Sequence, residues 1–532
     1  MSDTFIVTAT PPTPNGDFHV GHFSGPYLGG DIFSRYQRMK GNKAVYVSSA
    51  DHHQSYVVTT AERLGVDADT LSKGSHSDMI RTLEAGDIAF DAFNSVNADH
   101  NALVQDFFLQ IEARGFVTRK TKQMPWSVAE GRFLFESFVS GYCAECWSPT
   151  AGAICEACGH PNDASTLDLL RPKGGTGEVE FRELEIAVLE LERFRPQFEE
   201  YYASKRGKWR PHLIELVDEL MAGPLPDYPL TYPSDWGIPA PFAGLDGQVL
   251  NVWAEMLPGL INSTSLATEG GLWAKDSGSR LVQFLGYDNS FFFAFIHPAM
   301  AWAHGDCILP DTIITNEFFE LENFKFSTSK GHLIWARDLL AERDVSAVRF
   351  YLALANPETQ KMNFTRDAMD KLVEVRFVTP FQEMIDTIAS VGSKFGMLGT
   401  PLALSEQEAA RINRVLARFA RFYEVEQFSP QRVAEHLSQL LVRMTAGVGN
   451  AKNTDDPAEL RFAVATLIRV LPIVTAPLMP GLADALATAL GVGGQKWSEV
   501  TPGDHVAIDA LALQRARAVV EFSTQNQARR AS

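Results

Sequence analysis

Hydrophobic and polar positions near the start of the chain alternate as strands and helices do in a wound sheet. Short apolar runs at residues 5–9 and 43–49 predict buried strands, and longer amphipathic stretches at 19–39 and 56–64 predict helices. Strands that alternate with helices in this way pair in parallel. We therefore predict an α/β fold built on a parallel sheet.

This pattern is interrupted between residues 111 and 229. The interrupting segment is polar, with a predicted pair of charge-rich helices, and its carboxylate-rich stretch at 183–200 indicates a solvated helix face. Apolar runs at 281–285 and 312–316 then resume the strand pattern. The sequence thus predicts a sheet domain that an insertion splits in two.

The last third of the chain has a different periodicity. Amphipathic stretches at 408–426, 432–445 and 461–471 predict long helices and a helical bundle. The predicted boundaries are residues 1–110 and 230–345 for the halves of the sheet domain, 111–229 for the insertion and 346–532 for the bundle.

Composition narrows the possible functions. The 532 residues are 45% hydrophobic and 21% charged, which is ordinary for a globular protein with a large core. No apolar stretch approaches membrane-spanning length and the start lacks a basic, signal-like segment, so we expect a cytoplasmic protein without a membrane partner. The net charge of −18 is unfavourable for long-range attraction to nucleic acid, although local basic patches can coexist with it.

Four of the five cysteines form two Cys-x-x-Cys pairs in one stretch. They are Cys143, Cys146, Cys155 and Cys158. Such turns place four thiolates at tetrahedral positions around Zn²⁺, and four thiolates leave no open position, so the site would be structural. Two disulfides are the alternative, which a cytoplasmic location disfavours.

Three other reactive side chains lie outside these motifs. Cys307 is expected to be a buried core thiol. His297 and His304 lie in an apolar, helix-like stretch, and we expect them to be core residues with satisfied hydrogen bonds.

A histidine pair stands where the first strand passes into the first helix. The run is Pro11-Pro12-Thr13-Pro14-Asn15-Gly16-Asp17-Phe18-His19-Val20-Gly21-His22. Free N–H groups at a helix start bind anions, Gly21 lets a bound group approach the backbone, and the two imidazoles can follow negative charge along a phosphate chain. A second phosphate-binding loop is Lys325-Phe326-Ser327-Thr328-Ser329-Lys330-Gly331.

Together these runs resemble the HIGH and KMSKS signatures of class I aminoacyl-tRNA synthetases, and most sharply those of methionyl-tRNA synthetases. Supporting stretches are residues 29–41, the doubled cysteine knuckle, residues 235–239, Val252-Trp253 and Gly286-Tyr287-Asp288-Asn289. The resemblance implies a Rossmann-like parallel sheet split by a zinc-knuckle insertion and followed by an all-α helical bundle similar to an anticodon-binding domain.

The resemblance also implies that ATP and a carboxylate form an acyl-adenylate and Mg²⁺-pyrophosphate. His19, Gly21 and His22 would bind the ATP phosphates, and Lys325 would close over them. Further residues implied at the nucleotide are Asn15, Gly286, Asp288, Ser327, Ser329 and Lys330. Positioning and stabilisation of the pentavalent phosphorus, more than acid–base chemistry, would carry the rate.

The amino-acid pocket departs from the family. The resemblance places Pro11, Thr13, Asp51, His52, Trp253, Glu255, Tyr287, Asn289 and Phe293 at the substrate. Thr13 and Pro11 replace a tyrosine and a leucine that touch the methionine side chain, and Phe293 replaces a histidine that closes the pocket. Because the ATP signatures are kept, these changes predict a remodelled pocket for an acid other than methionine.

One departure concerns the substrate ammonium. The second of two aspartates that anchor it in the family is His52 here, and a carboxylate facing an ammonium is worth roughly 1.5–3 kcal/mol. Either Glu255 or Asp51 takes over the ammonium, or the substrate lacks one. His52 and His53 as a metal pair is the weaker alternative, because adjacent residues on a strand point to opposite faces.

The predicted bundle lacks the RNA-reading residues of methionyl enzymes. Where those carry a Pro-Trp that stacks on the anticodon, residues 446–453 contain no aromatic side chain. The first bundle helix, at residues 373–379, lacks the family's asparagines. This part of the sequence gives a tRNA partner no support.

Three functions fit these observations. The first is a tRNA-independent ligase that activates an amino acid or another carboxylic acid and passes it to a small nucleophile, as in hydrazine synthetases. That route would need a separate cupin partner. The second is a divergent methionine–tRNA ligase. The third is a non-catalytic binding protein, against which the kept His19, His22 and Lys325 argue. The acid, the acceptor and the oligomeric state stay open.

Overall fold

The computed structural model describes residues 2–175, 177–326, 331–454, 456–493 and 496–522. Its central sheet has five parallel strands. In sheet order they are Pro310–Asn316, Arg280–Gly286, Thr4–Ala9, Lys43–Ser49 and Ala92–Asn94. Each of the four apolar runs predicted as strands lies in this sheet, so the predicted α/β fold is confirmed.

Both faces of the central sheet are covered, which explains why its strands are nearly continuous apolar runs. Phe5 and Val7 belong to one core cluster, whereas Ile6 belongs to the other. The strand order reverses between Thr4–Ala9 and Arg280–Gly286. Open α/β sheets bind ligands beyond the carboxyl ends of the strands at such a reversal.

The helix predicted over residues 19–39 is divided into three parts. They are Val20–His22, the π-helical turn Phe23–Tyr27 and Leu28–Met39. Pro26 lacks a backbone N–H for the helical ladder, and Gly25 has a non-helical ψ of −113°. The next helices are Ser55–Leu64, Ala68–Ala85 and Ala98–Ala113.

Residues 111–229 contain two antiparallel sheets. The strands of the first are Asp227–Pro229, Val179–Glu190, Thr118–Ser127 and Arg132–Phe133, and those of the second are Pro149–Gly152, Glu136–Tyr142 and Asp168–Pro172. Helical segments here are Ala164–Thr166, Leu191–Phe194, Arg195–Ala203 and Pro211–Ala222.

The predicted solvated helix over residues 183–200 is wrong for residues 183–190. Residues 179–188 of the strand Val179–Glu190 pair with Thr118–Ser127, and helical structure begins only at Leu191–Phe194 and continues from Arg195. Ile186 and its neighbours to Leu189 are buried. Cross-strand packing outweighs the helix propensity of the many glutamates.

The chain then returns to the central sheet. Its elements are the strand pair Thr231–Pro233 and Gln248–Leu250, the helices Val252–Ala267, Tyr287–Asn289, Phe292–Ile296 and His297–His304, the short strands Phe319–Leu321, Phe324–Lys325 and Met362–Phe364, and the helices Ala336–Glu342 and Val345–Leu354.

The remainder is helical, apart from the two-stranded pair Leu402–Ala403 and His505–Val506. Its helices are Arg366–Val373, Glu374–Val378, Thr379–Lys394, Glu406–Tyr423, Val425–Gln427, Pro430–Thr454, Ala458–Arg469, Leu471–Thr475, Pro480–Leu490 and Ala510–Ala518. The predicted helical C-terminal region is confirmed, whereas the domain boundaries stay a prediction. Among the described residues, no helix is both long and apolar enough to cross a membrane.

A buried ion pair joins this region to the sheet layer. The guanidinium of Arg349 donates to Asp31 Oδ2 at 2.6 Å, and both side chains are almost fully buried. Arg349 also donates to the carbonyls of Gly86 and Leu478. One side chain therefore connects the helix after the first strand, the loop before the third strand and the C-terminal helices.

Candidate active site

The histidine pair lies beyond the carboxyl end of Thr4–Ala9, where the strand order reverses. The Nδ1 atom of His19 accepts a hydrogen bond from the backbone N–H of His22 at 3.3 Å, so its proton is assigned to Nε2. The two rings stack with centroids 3.7 Å apart. A Cβ added to Gly21 would lie 3.0 Å from the His19 ring, so a glycine at this position leaves room for the ring.

Both imidazoles are neutral. Burial lowers the pKa of His19 well below its usual range, and the neighbouring His22 and Lys325 lower it further. His22 is exposed at the surface, but protein atoms around its ring, together with the charge of Lys325, lower its pKa to about 4. Each ring therefore donates one N–H without holding a phosphate by charge.

Lys325 lies beside the two histidines at the end of the strand Phe324–Lys325. The next residue, Phe326, stacks on the His19 ring at 4.8 Å. The Lys325 ammonium forms an ion pair with Glu156, which lies in the second cysteine turn. The structure thus brings His19, His22 and Lys325 together. The predicted Ser327, Ser329 and Lys330 lie outside the described residues.

Other residues predicted at the nucleotide lie on both sides of the strand reversal. Asn15 follows the first strand, and its Nδ2 donates to Thr60 Oγ1 at 3.4 Å. Gly286 ends the neighbouring strand, and a Cβ there would lie 2.7 Å from Asp288 Oδ1. Burial raises the pKa of Asp288 to about 6, although Asn289 Nδ2 donates to its Oδ1 at 2.9 Å.

Tyr287, predicted at the substrate, contacts the cysteine knuckle. Its hydroxyl donates to the carbonyl of Cys158 at 3.4 Å, and its ring stacks on His212 at 3.6 Å. The knuckle is therefore in direct contact with the turn that carries Asp288 and Asn289.

His52 is anchored through one ring nitrogen. Its Nδ1 shares a hydrogen bond with Ser72 Oγ at 2.5 Å, and its ring packs edge-on against His76 at 5.2 Å. Burial lowers its pKa to about 3. Its Nε2 has no partner among the described residues, and its predicted place at the substrate stays a prediction.

Glu255 is fully engaged by two histidines. Both of its oxygens lie within 3.0 Å of His53 Nδ1, and His100 Nε2 lies 3.0 Å from Oε1. Burial alone would raise the pKa of Glu255, but His53 and His100 together lower it to about 2. Glu255 is therefore unsuited to bind a substrate ammonium, which leaves Asp51 of the two residues proposed for that role.

Asp51 lies under the loop that carries Pro11 and Thr13. Its backbone N–H donates to the carbonyl of Pro12 at 2.8 Å, and its Oδ2 accepts from Gln54 Nε2 at 3.0 Å. Burial and the nearby Glu255 and Glu136 raise its pKa well above the usual range, whereas Gln54 opposes the shift.

Glu136 is a site residue that the sequence interpretation missed. It comes from a strand of the insertion, is 2% exposed, and its Oε2 accepts from Ser55 Oγ at 2.8 Å. Burial raises its pKa to about 7, which the hydrogen bond from Ser55 and the nearby indole N–H of Trp253 oppose. An isolated glutamate in an apolar run carries no motif, so the sequence held no signal for this role.

Phe293 lies in the core cluster that contains Ile6, and Trp253 packs against that cluster. Trp253 stacks on Phe292 at 4.2 Å, and its indole N–H has no acceptor among the described residues. Phe293 is fully buried and packs 4.3 Å from the ring of His297. Both ring nitrogens of His297 lack a described partner. The expectation of a satisfied His297 is therefore wrong, whereas His304 contacts Cys307 Sγ through Nδ1 at 3.4 Å.

The four clustered cysteines have the geometry of a tetrahedral zinc site. All four Sγ atoms lie within 4.8 Å of one another, with Cys143 and Cys158 3.8 Å apart and Cys146 and Cys155 3.5 Å apart. Zn–S bonds of about 2.3 Å place tetrahedral sulfurs about 3.8 Å apart. These thiols therefore fit a structural Zn²⁺, which would cross-link the two turns. They form no disulfide.

The sequence profile of the family described as "tRNA synthetases class I (M)" matches residues 5–386. The chain belongs to this family. It is 28% identical to the methionine–tRNA ligase of Roseiflexus castenholzii, over 95% of this chain and 89% of that protein. It is 31% identical to the enzyme of Roseiflexus sp. over 77% and 72%.

Solved structures show the same fold. Mycobacterium tuberculosis methionyl-tRNA synthetase in complex with methionyl-adenylate matches with a TM-score of 0.74 at 18% identity, over 95% of this chain and 98% of that one. The methionyl-tRNA synthetase-like fold and the ATP-dependent ligase class are thereby established for this chain.

Proposed function

We propose that this protein activates an amino acid as its adenylate and transfers it to tRNA, as a divergent methionine–tRNA ligase. One observation carries this proposal: His19, His22 and Lys325 converge at the strand reversal of a chain that matches the methionine–tRNA ligase of Roseiflexus castenholzii over 89% of that protein. This reverses the order in which the sequence ranked the candidate functions.

In the proposed reaction a carboxylate oxygen attacks the α-phosphorus of ATP. A new C–O–P linkage forms, the bond to the β,γ-pyrophosphate breaks, and the leaving group takes the electron pair. Negative charge grows on the α-phosphoryl oxygens and on the leaving pyrophosphate. The neutral N–H donors of His19 and His22 and the charge of Lys325 would stabilise it. Mg²⁺ would arrive with the triphosphate as its counter-ion, and we assign it no protein ligand.

Particular observations favour a second candidate, the tRNA-independent ligase. The His52 side chain is hydrogen-bonded to Ser72, and the fully buried Phe293 stands where the resemblance to the family places a pocket-closing histidine. The helix Pro430–Thr454 carries Ala446 and Gly447 on its accessible side and no aromatic residue between 446 and 453. In this alternative, a small nucleophile takes the acyl group, and a hydrazine-forming route would need a separate cupin partner.

ATP–pyrophosphate exchange with the twenty standard amino acids, with and without total tRNA, separates these functions. Exchange with methionine followed by tRNA charging supports the first. Exchange with another amino acid and no charging of any tRNA supports the second. An enzyme that shows neither exchange nor ATP turnover would be the non-catalytic binding protein, and the proposal would fail.

A further inference from the structure

Two buried carboxyl groups in the candidate site have no cationic partner among the described residues. Asp51 is 6% exposed and Glu136 is 2% exposed. Their neutral donors are consecutive in the chain: Gln54 Nε2 donates to Asp51 at 3.0 Å, and Ser55 Oγ donates to Glu136 at 2.8 Å. Both carboxyl groups are therefore hydrogen-bonded to residues at the start of the helix Ser55–Leu64 and lie near each other.

Two buried acceptors at this place lack a hydrogen bond among the described residues: Oε1 of Glu136 and Oε1 of the fully buried Gln54. The one unpaired donor beside them, the indole N–H of Trp253, can serve a single acceptor. The Gln54 amide cannot be turned to help, because its Nε2 already serves Asp51. Buried acceptors without donors are costly, so this arrangement fits a ligand that brings several N–H donors.

The charges point the same way. The third carboxylate nearby, Glu255, is taken by His53 and His100. Burial raises the pKa of both Asp51 and Glu136, and the charge of Glu136 adds to the shift at Asp51. An incoming cation would favour the ionised form of both groups.

The backbone at Glu136 is also unusual. Its φ is +45°, in the left-handed region that residues other than glycine rarely occupy. Such conformations persist when the surroundings enforce them, and they cluster at ligand sites. Here the conformation accompanies a carboxyl aimed at Ser55.

We propose that Glu136, together with Asp51 and Gln54, binds the ammonium group of the substrate, so that the activated acid carries a free amine. This inference rests on the proposed amino-acid activation. It also means that the insertion contacts the substrate directly, through Glu136. A divalent cation fits less well, because a metal site needs three or more ligand atoms close together. Among the described His, Cys, Asp and Glu residues, the four cysteines alone form such a group, with ligand atoms within 4.8 Å of one another.

The competing explanation is that Glu136 serves only to hold the indole of Trp253. That N–H lacks an acceptor and lies close enough to influence the pKa of Glu136. The two roles differ in one measurable respect. An indole support would affect every acid that enters the pocket, whereas an ammonium receptor affects only acids that carry an amine.

The test measures pyrophosphate exchange for the wild type, Glu136→Gln and the matched control Glu180→Gln, an exposed carboxylate on the other insertion sheet. The probe is the most active amino acid of the standard panel, with its des-amino acid beside it. We expect Glu136→Gln to raise the KM for the amino acid about tenfold or more, with the KM for ATP unchanged, because a charge-assisted bond is lost. The des-amino acid should react alike in the wild type and Glu136→Gln.

Two results would overturn the inference: a KM within twofold of the wild type, or an equal loss for the amino acid and its des-amino acid. If the wild type exchanges with no amino acid, the proposed function fails, and a binding measurement decides the inference alone. Ethylammonium chloride, compared with sodium chloride at equal ionic strength, should then raise the Tm of the wild type but not that of Glu136→Gln. Equal Tm values in both proteins would overturn it.

Discussion

His19 and His22 stay neutral because nearby protein atoms and the charge of Lys325 lower their pKa values. Among the three residues of the predicted phosphate site, Lys325 alone brings a full charge, and it is exposed at the end of a short strand. In the proposed reaction, these two neutral donors and one exposed cation would share the stabilisation of the transition state.

Removing one imidazole should therefore slow the chemistry and leave amino-acid binding intact. We expect His22→Ala to lower kcat for pyrophosphate exchange by about 10²-fold, as loss of one preorganised donor does. His505→Ala, which removes an exposed histidine of the C-terminal region, is the control and should behave as the wild type. A His22→Ala enzyme with wild-type kcat would exclude this role.

Gly21 gives a steric test of the same site. A methyl group there would meet the His19 ring at 3.0 Å, so Gly21→Ala should displace the ring and reduce kcat by about tenfold or more. A Cβ added to Gly74, in the helix Ala68–Ala85, would have no atom within 4 Å. Gly74→Ala should therefore raise stability by about 0.5–1 kcal/mol. Exchange assays and thermal unfolding of both variants check this. Equal kcat values in the two would contradict it.

The buried Glu136 should leave a signature in stability against pH. Its pKa is raised from 4.5 to about 7, so the folded state binds more protons than the unfolded state between these values, and stability falls as pH rises from about 4.5 to 7 and then levels off. Glu136→Gln removes this loss. The difference in unfolding free energy, variant minus wild type, should grow between pH 5 and pH 8 by an amount of order 3 kcal/mol. Urea titrations at several pH values measure it, and a constant difference would refute the assignment.

At the scale of elements, the cysteine knuckle contacts both strand ends of the site. Tyr287 bonds to the carbonyl of Cys158, and Lys325 pairs with Glu156. A closed four-thiolate site contributes folding energy to such a small unit. The knuckle thereby acts as a rigid support for residues that follow the strand Arg280–Gly286 and precede the lysine loop.

Loss of the knuckle should therefore impair activity before it unfolds the protein. We expect Cys155→Ser to bind less zinc than the wild type and to lose most exchange activity, while the main thermal transition is retained. Cys307→Ala, outside the cluster, should keep the zinc content of the wild type. Metal analysis with exchange assays tests this, and full activity in metal-free protein would overturn it.

Strand positions were predictable because the central sheet is covered on both faces, so its strands appear as short apolar runs. The insertion was not, since Val179–Glu190 gains its order from pairing with a strand about sixty residues earlier in the chain. In the site, sequence spacing located His19 and His22. The orientation of the His52 side chain depends on its hydrogen bond with Ser72, and the position of the Glu136 side chain depends on its hydrogen bond with Ser55. No local sequence pattern encodes either contact.

At the scale of the whole molecule, Arg349 ties the helical region to the sheet. Its guanidinium is fully buried and serves Asp31 together with carbonyls from two separate segments. Burial lowers its pKa, which the Asp31 charge opposes. The stability of the sheet layer therefore depends on a residue that lies far along the chain.

Breaking this pair on one side should be strongly destabilising. We expect Arg349→Met to lower the unfolding free energy by about 3–5 kcal/mol, because the buried Asp31 keeps only Arg35 of its two cationic partners and the carbonyls of Gly86 and Leu478 lose their donor. Arg517→Met, at the exposed pair with Asp386, should cost less than about 1 kcal/mol. Chemical denaturation compares them. Similar losses in the two variants would show that the buried pair contributes no more to the free energy of unfolding than the exposed pair does.

The Asp31–Arg349 pair has a practical consequence for anyone who shortens this protein. A fragment that stops at residue 345 would keep the carboxylate with Arg35 as its remaining cation, but would discard the buried guanidinium of Arg349. The carbonyl of Gly86 would then lose a donor that comes from outside the fragment. Cutting the chain at this point therefore removes a buried partner of the sheet layer, and a foreign helical tail would restore it only with a guanidinium at that position.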